Sequence, residues 1–206
     1  MGSFGTRQYR VGASSHQSGP FAMQALLHAL ESLLSLEHLP RTGWIQHGIA
    51  PPEPLAGHIL GVAYVALALA PRVDPPLDVD RVVALAVVHD APEALTGDLS
   101  LKGSALLPEG AKEYAEERAA RELFEPMNPT ALARSVEFEA GETREARFAK
   151  LCDRLQLGLR LLVYVRGGHR GLGEFHSTVE ALDCSEFEPA REFHGLLLEE
   201  LAHFSA

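Results

Sequence analysis

Val82-Val83-Ala84-Leu85-Ala86-Val87-Val88-His89-Asp90 is an apolar run that closes on an imidazole and a carboxylate. Seven consecutive apolar residues read as a buried helix, and Asp78 stands ahead of them where an N-cap belongs. A charge at the inner end of such a helix costs several kcal/mol unless something pairs with it. Neutral His and ionised Asp both ligate Zn, Mn, Fe or Co, so a divalent metal is the simplest partner. Taken alone, the pair also admits a plainer reading: Asp90 caps the turn at Ala91-Pro92, and His89 is a satisfied core histidine.

Two more polar residues interrupt apolar helical stretches elsewhere. His58 lies in Leu55-Ala56-Gly57-His58-Ile59-Leu60, and Asp153 lies among Leu151, Cys152, Leu155 and Leu157. Singly, His58 reads as a core histidine and Asp153 as a partner of Lys150 or Arg154. Together with His89 and Asp90 they supply two imidazoles and two carboxylates from buried helical surfaces. Such a set would fill four positions around one divalent cation and leave room for water and substrate.

The periodicity predicts helices throughout and no alternating strand. A leucine-spaced helix runs from Phe21 to Leu39, and 40–53 is an irregular loop. Pro54 opens a helix to about Ala70, Asp78 caps the helix ending at His89-Asp90, and a short element covers 92–95. A loop spans 96–108, and Glu109–Phe124 is charged and amphipathic, as a surface helix is. Helices follow over Thr130–Ala140, Glu142–Val165, roughly 171–183 and 187–203, with Gly141 and Gly167-Gly168 as stops. The expectation is an all-α, single-domain bundle over 21–206, preceded by a flexible Gly- and Ser-rich arm over 1–20.

Bulk properties narrow the partners. The chain has 206 residues, 46% hydrophobic content and a formal net charge of −10. That charge disfavours nucleic acid or an anionic membrane as main partner. The apolar stretch 60–70 reads as too short to span a bilayer. No signal peptide is expected, and Cys152 and Cys184 form no disulfide framework, which fits a cytoplasmic protein. Of the other histidines, His28, His38, His169, His176, His194 and His203 show no ligand spacing, and His47 is expected in solvent.

The string His-Asp-Ala-Pro-Glu-Ala-Leu-Thr-Gly-Asp-Leu (89–99) is far more specific than His-Asp alone. With Pro-Arg-Thr-Gly-Trp (40–44), Pro-Glu-Pro-Leu-Ala-Gly-His (52–58) and Lys-Leu-Cys-Asp-Arg-Leu-Gln (150–156), it resembles the HD-domain metal-dependent phosphohydrolases. Within them it is similar to the 5′-deoxynucleotidase branch, over about residues 22–185. The resemblance implies an HD-type helical bundle with a mononuclear site, the metal ligands being His58, His89, Asp90 and Asp153. It makes Glu93 a catalytic carboxylate and gives Asp98 a catalytic or sugar-contacting role. Arg41 suits a phosphate because its guanidinium makes paired charge-assisted hydrogen bonds. Trp44 offers an aromatic face beside sugar or base or else anchors the loop on the core, and Lys102 either serves on the phosphate side or is ordinary surface charge.

The implied reaction is hydrolysis of nucleoside 5′-monophosphates, deoxynucleotides among them, with a divalent cation (Co, Mn, Mg, Zn or Fe) activating water. A metal- and nucleotide-binding sensor without turnover is an alternative. So is hydrolysis of another phosphorylated metabolite, a cyclic nucleotide or a guanosine polyphosphate. Two departures stand out. Gly57 replaces the acid that commonly precedes the first ligand histidine, and Leu99-Ser100-Leu101-Lys102-Gly103 replaces a proline-containing string. No histidine lies between Asp90 and Asp153, unlike two-metal relatives, so one metal is expected. The resemblance implies a homodimer to whose face residues 158–165 and Phe175 could contribute, core packing being the alternative for them.

Overall fold

The computed structural model describes residues 20–204, and these form helices in the order α1 (Pro20–Leu33), α2 (Thr42–Gln46), α3 (Leu55–Leu69), α4 (Val79–Val88), α5 (Glu93–Thr96), α6 (Leu101–Ser104), α7 (Ala111–Phe124), α8 (Pro129–Ala140), α9 (Arg144–Arg166), α10 (Gly173–Glu180) and α11 (Glu188–Ala202). Among the described residues there is no strand, only an isolated antiparallel bridge between Pro40 and Pro54. The all-α expectation holds. The arm expected over 1–20 lies outside the described residues except for Pro20, which opens α1.

Three helices position the site. α3, α4 and α9 pack against one another. Val62 and Ala66 of α3, Val82 and Leu85 of α4, and Cys152 and Leu155 of α9 are wholly buried in one cluster. Each such aliphatic side chain withdrawn from water stabilises the bundle by roughly 1.5–3 kcal/mol. Helix ends follow local chemistry. Asp78, Asn128 and Thr143 accept the backbone N–H of Arg81, Ala131 and Ala146, and so cap α4, α8 and α9. Gly141 takes the left-handed conformation that ends α8.

Several boundaries differ from the sequence reading. The first helix stops at Leu33 and tightens into a 3-10 turn over Leu34–Glu37. The loops expected over 40–53 and 96–108 each contain a short helix, α2 and α6, too brief to leave an apolar period. α3 continues into a 3-10 turn, so that Leu55–Arg72 is long and apolar enough to cross a membrane by length and composition. Half of that stretch is buried in the bundle, as suits a core helix.

The second half of α9 packs within the chain, the core packing that the sequence offered beside a homodimer face. Gly158, Leu161, Leu162, Tyr164 and Val165 are buried within this chain, against residues such as Val179 of α10 and Leu197 of α11. Val163 alone of that stretch stays largely exposed. Gly158 marks the closest approach, since a Cβ there would lie 2.6 Å from Leu197 Cδ2.

Candidate metal centre and substrate cleft

His58 sits in the first turn of α3, His89 and Asp90 follow the last turn of α4, and Asp153 is mid-way along α9. Packing of these three helices brings the four side chains together. His58 Nε2 lies 3.3 Å from His89 Nε2. Asp90 Oδ2 is 3.4 Å from the first nitrogen and 3.2 Å from the second. His58, His89 and Asp90 each place a ligand atom within 4.8 Å of the others, and Asp153 Oδ1 joins through His58 Nε2 at 3.1 Å. Both imidazoles are buried, while the two carboxylates remain partly open to the cleft.

The hydrogen-bond network assigns the imidazole tautomers. His89 Nδ1 lies 2.7 Å from the Ala86 carbonyl oxygen, which only accepts, so Nδ1 carries the proton. His58 Nδ1 lies 2.6 Å from Gln156 Oε1. Gln156 Nε2 in turn donates to Glu53 Oε1 at 2.7 Å, and a carboxylate cannot donate back, so the amide orientation is fixed. Both Nε2 atoms of the neutral rings therefore turn lone pairs toward each other and toward Asp90. Such a set repels itself unless positive charge lies at its focus. A divalent cation fits that donor chemistry of imidazole nitrogen and carboxylate oxygen.

The titration of the site expresses the same demand. Burial works against a charged His58, yet hydrogen bonds to Asp153 and Asp90 outweigh it and raise its pKa to about 9. Burial likewise opposes ionised Asp90 and Asp153. The charge of His89 and hydrogen bonds from the imidazoles hold Asp90 well below the usual carboxylate range, and the His58 hydrogen bond leads in lowering Asp153. Without a metal, a proton supplies part of the missing charge.

A cleft opens above this cluster, lined by Arg41, Glu93, Asp98, Lys102 and Lys112 among others. Arg41 is brought to α3 by backbone pairing, its N–H donating to the Glu53 carbonyl at 2.9 Å while Leu55 N–H donates to Leu39 O at 2.8 Å. Its NH1 meets Asp90 Oδ2 at 2.9 Å and Asp98 Oδ1 at 4.0 Å. Burial disfavours its charge, but Asp90, Asp153, Asp98 and Glu93 outweigh that and raise its pKa further. Gly97, at φ 77°, ends α5 and turns the chain so that Asp98 meets the Arg41 loop. Asp98 Oδ2 accepts the Thr42 backbone N–H, and Thr42 Oγ1 donates to the Asp98 carbonyl at 2.7 Å.

Glu93 opens α5 and is only 5% exposed. Among the described residues nothing hydrogen-bonds its Oε2. Burial first, then the charges of Asp90 and Asp98, push its pKa up to about 9. A buried, unpartnered carboxyl oxygen in a cleft wall is placed to meet a water or a ligand atom.

Further residues complete the walls of the cleft. Trp44 is 1% exposed, stacked on Phe175 with ring centroids 3.9 Å apart and set edge-on to Tyr164 at 4.9 Å. The indole thus anchors the wall against Phe175, and both residues line the cleft. Lys102 stands at the rim, paired with Glu174 at 2.9 Å. His47, expected in solvent, lines the cleft with Nδ1 2.8 Å from the Gly43 carbonyl oxygen. Lys112 comes from α7, expected as a plain surface helix, yet it reaches the cleft and pairs with Glu116 at 3.3 Å. Its only sequence signal is a position near the start of a charged helix, which does not distinguish it from neighbouring lysines and arginines. Gly57 has no side chain to meet His58, and Gln156 of α9 meets its Nδ1 instead.

A helical bundle with this His, His-Asp, Asp convergence places the chain in the HD domain family, whose model matches residues 34–189; the chain belongs to that family. Among its relatives is the 5′-deoxynucleotidase hdd1 of Schizosaccharomyces pombe, 30% identical over 71% of this chain and 76% of its own length. The human 5′-deoxynucleotidase HDDC2 is 30% identical over 68% of this chain and 69% of its own. The crystal structure of the PH0347 protein from Pyrococcus horikoshii OT3 superposes with a TM-score of 0.73 at 26% identity, covering 84% of this chain and 99% of that one.

Proposed function

We propose that this chain is a metal-dependent phosphomonoesterase that converts nucleoside 5′-monophosphates, deoxynucleotides among them, to nucleoside and inorganic phosphate. One observation carries the reading. A cluster of metal-type donors, a guanidinium 2.9 Å from one of them, and an unpartnered buried carboxyl share a single cleft. The relatives named for 5′-deoxynucleotidase activity support the substrate class. The net charge of −10 supports a small-molecule substrate over nucleic acid or membrane. The buried free thiols of Cys152 and Cys184 fit a reducing compartment such as the cytoplasm.

His58, His89 and Asp90 would hold one divalent ion, with Asp153 as the fourth donor. Bound there, the ion supplies Lewis acidity toward phosphoryl oxygen and water. Arg41, oriented by Asp90 and Asp98, clamps phosphoryl oxygens as charge builds on them. Lys112, also lining the cleft, adds positive charge. Glu93 holds or takes a proton at Oε2, managing the transfer between attacking water and departing 5′-oxygen. Water adds to phosphorus as the bond to that oxygen breaks, and no covalent enzyme intermediate is needed. Asp98 is the carboxylate offered to a sugar hydroxyl.

The test is phosphate release from a panel of ribo- and deoxynucleoside monophosphates with Co, Mn or Mg, paired with elemental analysis. Release from 5′-monophosphates supports the proposal. Binding without release would replace it with a sensor role, and release only from cyclic nucleotides or guanosine polyphosphates would replace the substrate.

A further inference from the structure

Glu53 is 3% exposed and belongs to no helix, yet it gathers donors from several parts of the chain. Its Oε1 accepts from Gln156 Nε2 at 2.7 Å and from Arg160 Nε at 2.8 Å. Trp44 Nε1 lies 3.4 Å from Oε2. Its own backbone N–H donates to Tyr164 Oη at 2.8 Å, and its carbonyl accepts the Arg41 N–H at 2.9 Å. Gln156, also buried, passes this anchorage on to His58 Nδ1 at 2.6 Å.

We propose that Glu53 and Gln156 form a positioning relay, Glu53 to Gln156 to His58, that sets the tautomer and ring orientation of His58 for a metal and joins it to the Arg41–Trp44 wall. The inference rests on reading His58 as a metal ligand.

The physical argument lies in the amide, which has no second orientation. Flipped, its NH₂ would face the His58 Nδ1–H and its oxygen would face the Glu53 carboxylate. Both contacts would be repulsive in a buried setting. Held as it is, the amide keeps a proton on His58 Nδ1 and leaves Nε2 facing Asp90 and Asp153, free to meet a cation when the ring is neutral. A buried carboxylate is costly without compensation, and Arg160 and Gln156 provide it. Gly61, one turn along α3 from His58, makes the space. A Cβ there would lie 2.8 Å from Gln156 Nε2 and 2.9 Å from its Cγ, so any larger residue would push the amide aside. The relay also explains how the site keeps an anchored histidine although Gly57 offers no side chain. Glu53 and Gln156 touch no substrate; they act through His58 and are positioning residues.

The experiment titrates cobalt(II) into chelator-treated full-length protein, read by the visible absorption of the bound ion, with kcat and KM measured in parallel. Gln156→Met keeps the bulk and removes the hydrogen bond. It should weaken cobalt binding by about 10- to 100-fold, alter the absorption band and lower kcat with little change in KM. Gln156→Glu sets two carboxylates against each other and should weaken binding similarly. Adding Glu53→Gln to it restores an amide–carboxylate pair in reverse order and should recover most of the affinity. Wild-type affinity and spectrum in Gln156→Met would overturn the relay. If that variant does not fold, failure of the double exchange to recover binding would overturn it instead. A wild-type protein that binds no cobalt would overturn the metal reading itself, a distinct outcome.

Discussion

Glu93→Gln should damage the chemistry while strengthening the metal-free fold, and the two effects are measurable apart. Burial, then Asp90 and Asp98, raise the Glu93 pKa from 4.5 to about 9. An acid with a raised folded pKa costs nothing below its ordinary value. The penalty grows as pH climbs from 4.5, because the unfolded chain ionises while the folded one stays protonated, and it levels off above about 9. Each pH unit inside that window is worth about 1.4 kcal/mol. Between about pH 5.5 and about pH 8 the penalty thus grows by roughly 3 kcal/mol as an upper figure. Glutamine keeps the shape of the protonated acid and cannot ionise.

Urea unfolding of chelator-treated protein reads this directly. The stability gained by Glu93→Gln should vanish toward the acid end and grow by roughly 3 kcal/mol between about pH 5.5 and about pH 8. The chelator matters, since a cation beside Glu93 would favour its ionised form and shrink the difference. Metal-loaded Glu93→Gln should lose about 100-fold or more in phosphate release if the side chain manages a proton. A stability difference that ignores pH would refute the electrostatic account, and undiminished phosphate release would refute the role in chemistry.

Removing a donor from the cluster, by His89→Ala or Asp90→Asn, should strip the purified protein of its divalent ion and of activity, as elemental analysis and phosphate release would show. Lys112→Ala removes one cation of the cleft and should raise KM by about tenfold, the equivalent of one charge-assisted hydrogen bond, while metal content stays unchanged. Gly158→Ala forces a Cβ to 2.6 Å from Leu197 Cδ2. It should cost about 1–3 kcal/mol of stability in a thermal melt and spare cobalt affinity, because the clash lies away from the ligands.

The donors were legible in the sequence for an energetic reason. His58, His89 and Asp153 interrupt apolar helical runs, where a polar side chain is expensive, so each stands out from its neighbours. The long helices were legible because burial of one face imposes a period on ten or more residues. The cleft walls offered no such signal. α2 and α6 are too short to carry a period, and the Trp44 indole looks the same in sequence whether Phe175 covers it or a ligand does. Lys112 sits among other charges on α7, and only the packing of that helix decides that it borders the cleft. Gln156 is a polar residue in an apolar stretch of α9, just as Asp153 is, yet its meaning depends on Glu53, 103 positions away in the chain.

Charge in the cleft gives the donors a second meaning. Asp90, Asp98 and Asp153 line the same space as Glu93, and the cations among its lining residues are Arg41, Lys102, Lys112 and Arg154. Lys102 is paired with Glu174, Lys112 with Glu116, and Arg41 with Asp90, so little of that positive charge is uncommitted. A phosphate monoester brings further negative charge into this setting. A divalent ion among His58, His89 and Asp90 offsets the acids and leaves Arg41 able to turn a donor toward a phosphoryl oxygen. Ion and phosphate then assist one another, and linkage makes the assistance equal in both directions: whatever factor the ion adds to phosphate affinity, the phosphate adds to ion affinity. The buried donors therefore govern substrate binding as well as the chemical step.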